Sequence, residues 1–382
     1  MKNIYFWSPC LSKVGTYKST INSAVSLSKY SKSFYSVKLI NVCGEWEDKK
    51  KFFKKKDIEV LDLGFNYFRF LPKAGFLKSR FSYLIIILFS IIPLIRLLKK
   101  NKSDFFVAHL ITSLPLILFY FFNFRSKLIL RISGYPKLNL LRKKLWTILS
   151  SKIYQCTCPS KDLMFQLKNL NILSDNKLSF LPDPIININD FLKNIRESNN
   201  SNIDVPKKKF FMSVGRLTKQ KNFEYLINEF SEFSVVNKEF ILLIFGTGEQ
   251  QKYLTNLIEK NKVNTNIFLM GYSKDIYFYM KRAEAFILSS LWEDPGFVII
   301  ESALSNLPII SSNCKNGPSE FLQNGRAGIL FENNKKGELK KSLDIFMSQK
   351  AKMSNKKILA KKNSLNYTLF RHYKLFNKIL IE

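Results

Sequence analysis

Apolar runs of strand length alternate with longer helical patterns along most of this chain, and this alternation limits what it can fold into. In the first half, strands are predicted at residues 3–8, 36–42, 105–109, 127–133 and 153–158. In the second half, they are predicted at residues 210–214, 240–245, 266–270, 285–289 and 307–311. Strands that alternate with helices are typical of β-α-β units around parallel sheets. We therefore predict an α/β fold with two open, doubly wound domains that bind ligands at the carboxyl ends of their strands.

A polar segment divides the chain. Residues 187–206 are rich in Asn, Asp and Ser and break the α/β pattern, which predicts a linker. This linker separates an N-terminal Rossmann-like domain, residues 1–186, from a C-terminal domain, residues 207–365. Residues 366–382 are predicted to form a helix that packs back onto the N-terminal domain. Two domains also fit a length of 382 residues, at about 150 residues per domain.

The chain is strongly basic. It has 61 Lys and Arg residues against 29 Asp and Glu residues, a formal net charge of +32. Residues 63–161 contain 17 basic residues and a single acid, Asp104, so this stretch attracts nucleic acid, anionic lipid or a diphosphate-bearing substrate. A general excess of solvated lysines explains part of the total charge but not this window. Five cysteines and two histidines are too few for a disulfide scaffold or a His-rich metal enzyme.

Two apolar runs, residues 84–95 and 114–124, lie inside this basic window. A helix that crosses a membrane needs about 20 apolar residues, so both runs are short for one. We predict two helices that either pack against a sheet or dip partly into a membrane surface.

Candidate phosphate-binding residues follow two predicted strands of the second half. Gly246 and Gly248 lie between a strand and a helix, where glycines let backbone N–H groups approach an anion. A tight turn needs the same glycines, so both interpretations stay open. Arg216 and Lys221 follow the preceding strand, where two cations could clamp a diphosphate and stabilise a leaving group. A solvated basic loop is the alternative for this pair.

Glu293 and Glu301 form a more specific signal. Pro295-Gly296 breaks the chain between them, which predicts Glu293 on a loop and Glu301 on the helix that follows. Carboxylates in these positions can accept hydrogen bonds from the hydroxyls of a transferred sugar and of a ribose. Two unrelated surface glutamates fit poorly here, because acids are scarce and the flanking residues are strongly apolar.

In this order and spacing, these motifs resemble the nucleotide-binding domain of the family 4 retaining glycosyltransferases (glycosyltransferases group 1), which have the GT-B fold. Over residues 210–332 the resemblance rests on Gly215-Arg-Leu with Lys221-Asn222, Phe245-Gly-Thr-Gly248, Met270-Gly271, the Glu293/Glu301 pair, Asn316-Gly-Pro-Ser-Glu320 and Asn324-Gly-Arg-Ala-Gly328. The first half resembles the acceptor domain more loosely, through Ser8-Pro, Gly15-Thr, His109, Arg131-Ile-Ser-Gly134 and Leu181-Pro-Asp-Pro184. The resemblance implies two Rossmann-like domains that face each other across a cleft.

The resemblance also implies site residues. Arg216 and Lys221 would hold the donor diphosphate, Glu293 would contact the donor sugar, and His109 would lie under the anomeric region. The implied donor-binding residues are Gly15, Gly246, Gly248, Gly271, Gly296, Phe297 and Glu301, with Glu301 on the ribose. The family usually has Glu-Gly-Phe at the first glutamate, whereas this chain has Glu293-Asp294-Pro295, a departure that bears on donor sugar identity.

The implied reaction moves a sugar from a UDP- or GDP-linked donor to a glycan or lipid-linked acceptor, with retention, in cell-surface polysaccharide or lipopolysaccharide biosynthesis. Front-face attack assisted by cations needs no metal and no cofactor. Residues 63–161 are expected to dock on an anionic membrane, which places the protein on the cytoplasmic face, and no nucleic-acid partner is expected. Two alternatives stay open: a sugar-nucleotide epimerase on the same fold, and a basic nucleic-acid-binding protein.

Overall fold

The computed structural model describes residues 1–11, 15–72, 76–100, 102–136, 139–199 and 206–382. These residues form two compact units. The first unit comprises Met1–Ile185 together with Leu369–Glu382, and the second comprises Ile186–Thr368. Each unit contains one parallel sheet, as the alternation of strands and helices predicts.

The first unit has a seven-stranded parallel sheet with the spatial order β3-β2-β1-β4-β5-β6-β7. Its strands are β1 (Lys2–Trp7), β2 (Tyr35–Asn41), β3 (Ile58–Asp62), β4 (Phe105–Ala108), β5 (Lys127–Arg131), β6 (Ile153–Cys158) and β7 (Leu178–Phe180). Its helices before the second unit are α1 (Gly15–Tyr30), α2 (Lys50–Lys54), α3 (Phe76–Lys100), α4 (Ser113–Phe121), α5 (Leu140–Leu149) and α6 (Lys161–Lys168).

The second unit has a six-stranded parallel sheet with the spatial order β10-β9-β8-β11-β12-β13. Its strands are β8 (Lys209–Val214), β9 (Phe240–Phe245), β10 (Ile267–Gly271), β11 (Phe286–Leu288), β12 (Ile309–Ser312) and β13 (Ile329–Phe331). Its helices are α7 (Ile188–Asn199), α8 (Phe223–Val236), α9 (Gln251–Lys260), α10 (Ile276–Met280), α11 (Phe297–Leu304), α12 (Pro318–Phe321), α13 (Glu338–Ser348) and α14 (Lys350–Ser364). The last helix, α15 (Leu369–Ile381), belongs to the first unit.

The first sheet carries a separate apolar core on each face, because successive side chains of a strand point to opposite faces. Ile4 and Phe6 of β1 lie in a core with α1 and α15, where the rings of Phe6 and Phe376 are 6.4 Å apart. Tyr5 and Trp7 lie in the other core, with α3, α4, α5 and α6. Helices therefore cover both faces, as a parallel sheet requires.

The run at residues 84–95 lies in α3, a single helix of 25 residues. By length and composition, Arg80–Lys100 is apolar enough to cross a membrane, with a mean hydropathy of 2.4, and 28% of its most apolar window is buried. The side of α3 that packs in the core contains Ile86, Leu94 and Leu98. Another side exposes Leu84, Leu88 and Ile92, which are 53%, 59% and 59% exposed. One side of the helix thus packs on the unit and another is an apolar stripe.

The segment at residues 187–206, predicted as a linker, is helical over most of its length. α7 covers Ile188–Asn199 and groups with the second unit, where the ring of Phe191 lies 5.1 Å from that of Tyr277. Residues 200–205 lie outside the described residues. The polar composition of this segment reflects a solvated helix that packs through few apolar side chains, so the segment predicted as a linker is largely helical.

Candidate active site

Loops that follow neighbouring strands are joined at the carboxyl edge of the second sheet. The N–H of Leu217, after β8, donates to the carbonyl of Thr247, after β9, at 2.9 Å. The N–H of Leu291, after β11, donates to the carbonyl of Gln220 at 2.8 Å. This edge is the usual ligand position in an open parallel sheet.

A buried ion pair lies at this edge. Lys221 Nζ donates to Glu293 Oε1, and Ser290 Oγ donates to the same oxygen at 2.5 Å. The side chains of Lys221 and Glu293 are 14% and 5% exposed. A carboxylate this buried needs a cation and hydrogen-bond donors, because burial alone destabilises the ion. Two of the four residues predicted as catalytic are therefore in direct contact.

The loop that carries Glu293 is held on two sides. Ser289 Oγ donates to the carbonyl of Lys221 at 2.8 Å, and the N–H of Glu293 donates to the carbonyl of Lys315 at 3.2 Å. Gly296 follows with a φ of +88°, a value that favours glycine, and directly precedes α11. These contacts place Glu293 on a loop and Glu301 in α11, as the sequence predicts.

Glu301 contacts a tyrosine that sequence reasoning did not identify. Tyr277 Oη lies 3.4 Å from Glu301 Oε1. Burial, and then the nearby charge of Glu301, raises the pKa of Tyr277 well above its ordinary value. The phenol therefore stays protonated and can donate a hydrogen bond to the carboxylate. No local motif around Tyr277 in the sequence signals this contact.

The glycines after β9 pack closely against the loop after β8. A Cβ on Gly246 would lie 1.8 Å from the carbonyl oxygen of Gly215, and one on Gly248 would lie 2.4 Å from that of Leu217. The N–H of Gly246 donates to the carbonyl of Gly271 at 2.8 Å. This N–H is therefore already used and is not available to a phosphate. Close packing explains why both positions are glycine, and donor binding by Gly246 and Gly248 stays a prediction.

The other predicted site residues lie beside the buried ion pair in the chain or at the ends of strands and helices. Arg216 directly follows Gly215 after β8, and its side chain is exposed, unlike that of Lys221. Gly271 ends β10, and Phe297 is the first residue of α11. In the first unit, Gly15 is the first residue of α1, next to residues 12–14, which lie outside the described residues.

His109 lies at the carboxyl edge of the first sheet, directly after β4. Its side chain is 4% exposed, and its Nδ1 lies 3.1 Å from Thr20 Oγ1 of α1. Burial lowers the pKa of His109 well below its ordinary value, and the charges of Arg131 and His372 lower it further. The imidazole is therefore neutral, and its Nε2 is buried without a hydrogen-bond partner among the described residues.

A second buried ion pair lies at the same edge of the first unit. Arg131 Nη2, at the end of β5, donates to Asp183 Oδ1 at 2.5 Å and to Ser19 Oγ at 2.7 Å. Ser19 Oγ donates to the same oxygen of Asp183 at 2.7 Å. The sequence motifs contain Arg131 and Asp183 but do not indicate that the two residues pair.

Glu45 is a buried carboxyl group that the sequence analysis missed. It follows β2, is 1% exposed, and accepts hydrogen bonds from the N–H groups of Val42 at 3.1 Å and Cys43 at 2.8 Å. Burial raises its pKa to about 7.

Across the described ranges, no group of three His, Cys, Asp or Glu side chains is arranged to hold a metal ion.

Two units that each contain a parallel Rossmann-like sheet define the GT-B fold, and a comparison with solved structures gives the same result. The crystal structure of Anabaena HepE in complex with UDP and glucose matches with a TM-score of 0.70 at 13% identity, and the match covers 100% of both chains. The predicted fold class is confirmed.

Sequence comparison gives the family. Residues 194–363 match the family described as Glycosyl transferases group 1. An uncharacterized glycosyltransferase of Methanocaldococcus jannaschii is 38% identical over 112 residues, 29% of this chain and 28% of that protein. A UDP-Gal:alpha-D-GlcNAc-diphosphoundecaprenol alpha-1,3-galactosyltransferase of Escherichia coli is 26% identical over 300 residues, 71% of each protein. Residues 194–363 therefore match the group 1 glycosyltransferases, the family that the sequence motifs resemble.

The shared sequence is concentrated in part of these proteins. Three curated relatives are matched over 28%, 46% and 55% of their own lengths, so the chain spans about half of them or less. The family match favours the transferase prediction over the epimerase and nucleic-acid-binding alternatives.

Proposed function

We propose that this chain transfers a sugar from a nucleoside-diphosphate sugar to a glycan or lipid-linked acceptor, with retention of anomeric configuration, in cell-surface polysaccharide or lipopolysaccharide biosynthesis. The observation that carries the proposal is the buried contact between Lys221 and Glu293 at the carboxyl edge of the second sheet. The Escherichia coli relative is named for UDP-Gal, and the Anabaena structure holds UDP and glucose. These names support UDP over GDP as the first nucleotide to test.

Lys221 is suited to stabilise a departing diphosphate. Its ammonium group has three protons, of which Glu293 takes one, so the others can reach phosphate oxygens. Arg216 provides a second cation from the same loop. As the bond from the sugar to the diphosphate breaks, the phosphate oxygen gains negative charge, and a cation already held in place stabilises this charge without reorganising. Glu293 keeps the ammonium group in position.

Retention follows from front-face attack. The acceptor oxygen bonds to the anomeric carbon on the face from which the diphosphate departs, and the acceptor proton passes to the departing phosphate oxygen. This route uses the cations of Arg216 and Lys221 for charge stabilisation and needs no nucleophilic side chain. Glu301, held by Tyr277, is assigned to the ribose hydroxyls.

Binding of UDP tests this proposal directly. We expect Lys221→Met to weaken UDP binding about tenfold or more in calorimetric titration, because a charge-assisted hydrogen bond to phosphate is lost. Uridine, which has no phosphate, should bind the variant and the wild type alike. Lys219→Met is the matched control, since Lys219 lies in the same turn with an exposed side chain. Tight UDP binding by both the Lys221→Met variant and the Lys221→Met/Glu293→Gln variant would contradict the proposal.

We also propose that the first unit docks on the cytoplasmic face of an anionic membrane and that the acceptor is lipid-linked. On α3, the exposed Leu84, Leu88 and Ile92 are four residues apart and therefore share one side. On α5, Leu141 and Ile148 are 80% and 48% exposed. These helices lie within the window of 17 basic residues and one acid, which suits anionic headgroups. The acceptor named for the Escherichia coli relative is diphosphoundecaprenol-linked.

The packing of α3 supports docking over spanning. Because Ile86, Leu94 and Leu98 are buried in the first unit, the helix is attached to the unit along its length. A helix held in this way can bury its outer side at a membrane interface without crossing the bilayer.

Flotation with lipid vesicles tests the docking proposal. We expect wild-type protein to float with vesicles that contain phosphatidylglycerol and to float poorly with pure phosphatidylcholine. Leu88→Glu should reduce recovery several-fold, because it places a charge in the apolar stripe. Val236→Glu in the second unit is the matched control, since Val236 is 79% exposed. Equal recovery on neutral and anionic vesicles would refute the proposal.

A further inference from the structure

Thr20 contacts the ring of His109. The hydroxyl oxygen of Thr20, in α1, has three neighbours at hydrogen-bond distance. They are the backbone carbonyl of Thr16 at 3.0 Å, Ser8 Oγ at 3.0 Å and His109 Nδ1 at 3.1 Å. Thr20 is fully buried, so water does not replace these partners.

The protons of this cluster can be counted. A hydroxyl has one proton to donate and two lone pairs to accept with, whereas a backbone carbonyl only accepts. The proton of Thr20 therefore goes to the carbonyl of Thr16. The two lone pairs of Thr20 then accept from Ser8 Oγ–H and from His109 Nδ1–H. In this arrangement Nδ1 of His109 carries the ring proton and Nε2 carries a lone pair.

The electrostatic surroundings agree with a neutral ring. His109 is buried, and the guanidinium of Arg131 and the ring of His372 both act to lower its pKa. A neutral imidazole has one ring proton, so a proton on Nδ1 leaves Nε2 unprotonated. Nε2 is buried and has no hydrogen-bond partner among the described residues. An acceptor left without a partner is costly, which makes it a site for a donor group from a ligand.

We infer that Thr20 is a positioning residue that holds neutral His109 with its proton on Nδ1, so that Nε2 accepts a hydrogen bond from a substrate hydroxyl. The lone pair on Nε2 repels phosphate oxygens, which are acceptors, and so selects a sugar hydroxyl over the diphosphate at this position. The substrate part of this inference rests on the proposed function, whereas the protonation of the ring does not.

Nuclear magnetic resonance of protein labelled with ¹⁵N-histidine tests the inference without any substrate. The chain has two histidines, so the spectrum contains two imidazole rings, and His109→Gln assigns the signals by removing one. His372 is an internal reference, since its Nδ1 donates to the carbonyl of Pro182 at 2.7 Å and its Nε2 accepts from Ser23 Oγ at 2.8 Å. We expect both rings of the wild type to carry the proton on Nδ1.

Two variants of Thr20 separate its hydroxyl from its shape. Thr20→Val keeps the volume but removes the acceptor, so we expect proton density to move from Nδ1 to Nε2 of His109 while the His372 signals stay unchanged. Thr20→Ser keeps the hydroxyl and should behave as the wild type. Unchanged His372 signals show that the first unit is folded. A wild-type His109 protonated on Nε2, or a Thr20→Val protein with an unchanged His109, would overturn the inference.

Turnover of UDP-glucose gives the second readout. Slow hydrolysis of UDP-glucose should fall about tenfold in kcat/KM for Thr20→Val and recover in Thr20→Ser, because one hydrogen bond to the sugar is lost and then restored. If the ring proton moves in Thr20→Val and hydrolysis does not change, the assignment of Nε2 to a substrate hydroxyl is wrong. If wild-type protein neither binds nor hydrolyses a nucleotide sugar, the proposed function fails while the result on the ring proton stands.

Discussion

Replacement of Glu45 by glutamine should remove a pH dependence from the stability of the first unit. The pKa of Glu45 is about 7 in the folded protein, against an ordinary value of 4.5. Because the folded state binds this proton more tightly than the unfolded state does, protonation stabilises the fold fully below about pH 4.5. This stabilisation is lost as the pH rises through 7. At about 1.4 kcal/mol per pH unit, it amounts to about 3 kcal/mol.

The surroundings of Glu45 favour the neutral form. Burial raises the pKa values of Cys43, Tyr17 and Tyr67, and Glu45 raises them further, so these groups stay uncharged between pH 5 and pH 8. The N–H groups of Val42 and Cys43 favour the carboxylate, but burial is the larger effect. Glutamine resembles the protonated form of Glu45 in shape and charge, and it does not titrate.

Urea unfolding followed by tryptophan fluorescence measures the effect. Trp7, Trp46 and Trp146, three of the four tryptophans, lie in the first unit and report its unfolding. Between pH 5 and pH 8, the free energy of unfolding of Glu45→Gln relative to the wild type should rise by about 2–3 kcal/mol. Glu47→Gln, at an exposed carboxyl group two residues away, is the control. A difference between Glu45→Gln and the wild type that is the same at both pH values would refute the reasoning.

Three further predictions concern the second unit. Glu293→Ala should lower the free energy of unfolding by about 3 kcal/mol, because it leaves the buried ammonium group of Lys221 unpaired, and Lys221→Met should restore most of this loss. If the losses in free energy of unfolding of the two single variants simply add in the double variant, as measured by urea unfolding, Lys221 and Glu293 do not stabilise each other. Gly246→Ala should lower the free energy of unfolding by at least about 2 kcal/mol, since the new Cβ would clash with the carbonyl of Gly215 and the φ of Gly246 is +138°. A melting temperature equal to that of the wild type would show that this close approach is absent. Tyr277→Phe should weaken UDP binding about fivefold in calorimetry but leave the binding of 2′,3′-dideoxy-UDP unchanged, because Tyr277 contacts Glu301, the residue proposed to bind the ribose hydroxyls. Equal weakening of both ligands would contradict that assignment.

Much of the fold is predictable because strands buried on both faces are continuous apolar runs. β9, with the sequence Phe-Ile-Leu-Leu-Ile-Phe, begins and ends where the sequence predicts. β3 is absent from the prediction because it is an edge strand, in which the exposed Glu59 and Asp62 interrupt the apolar pattern. α7 is missed because its many polar residues conceal an apolar stripe at helical spacing, formed by Ile188, Phe191, Leu192 and Ile195.

The sequence predicts the site residues that belong to recognisable motifs, but not the contacts between them. The order and spacing of the motifs place Lys221 and Glu293 at one edge, but they do not indicate that the two side chains bind each other. Thr20 and His109 are 89 residues apart in the chain, so the packing of α1 on the sheet decides their contact. The burial of Glu45 is equally unpredictable, because nothing in the neighbouring sequence indicates that folding excludes water from this side chain.

The position of α15 has a consequence for synthesis on the ribosome. This helix completes one face of the first sheet, where Phe376 packs against Phe6, yet all of Ile186–Thr368 is translated before it. The nascent first unit therefore keeps an apolar surface open while the second unit emerges. Chaperone binding to stalled nascent chains should concentrate on that surface and end once α15 leaves the exit tunnel.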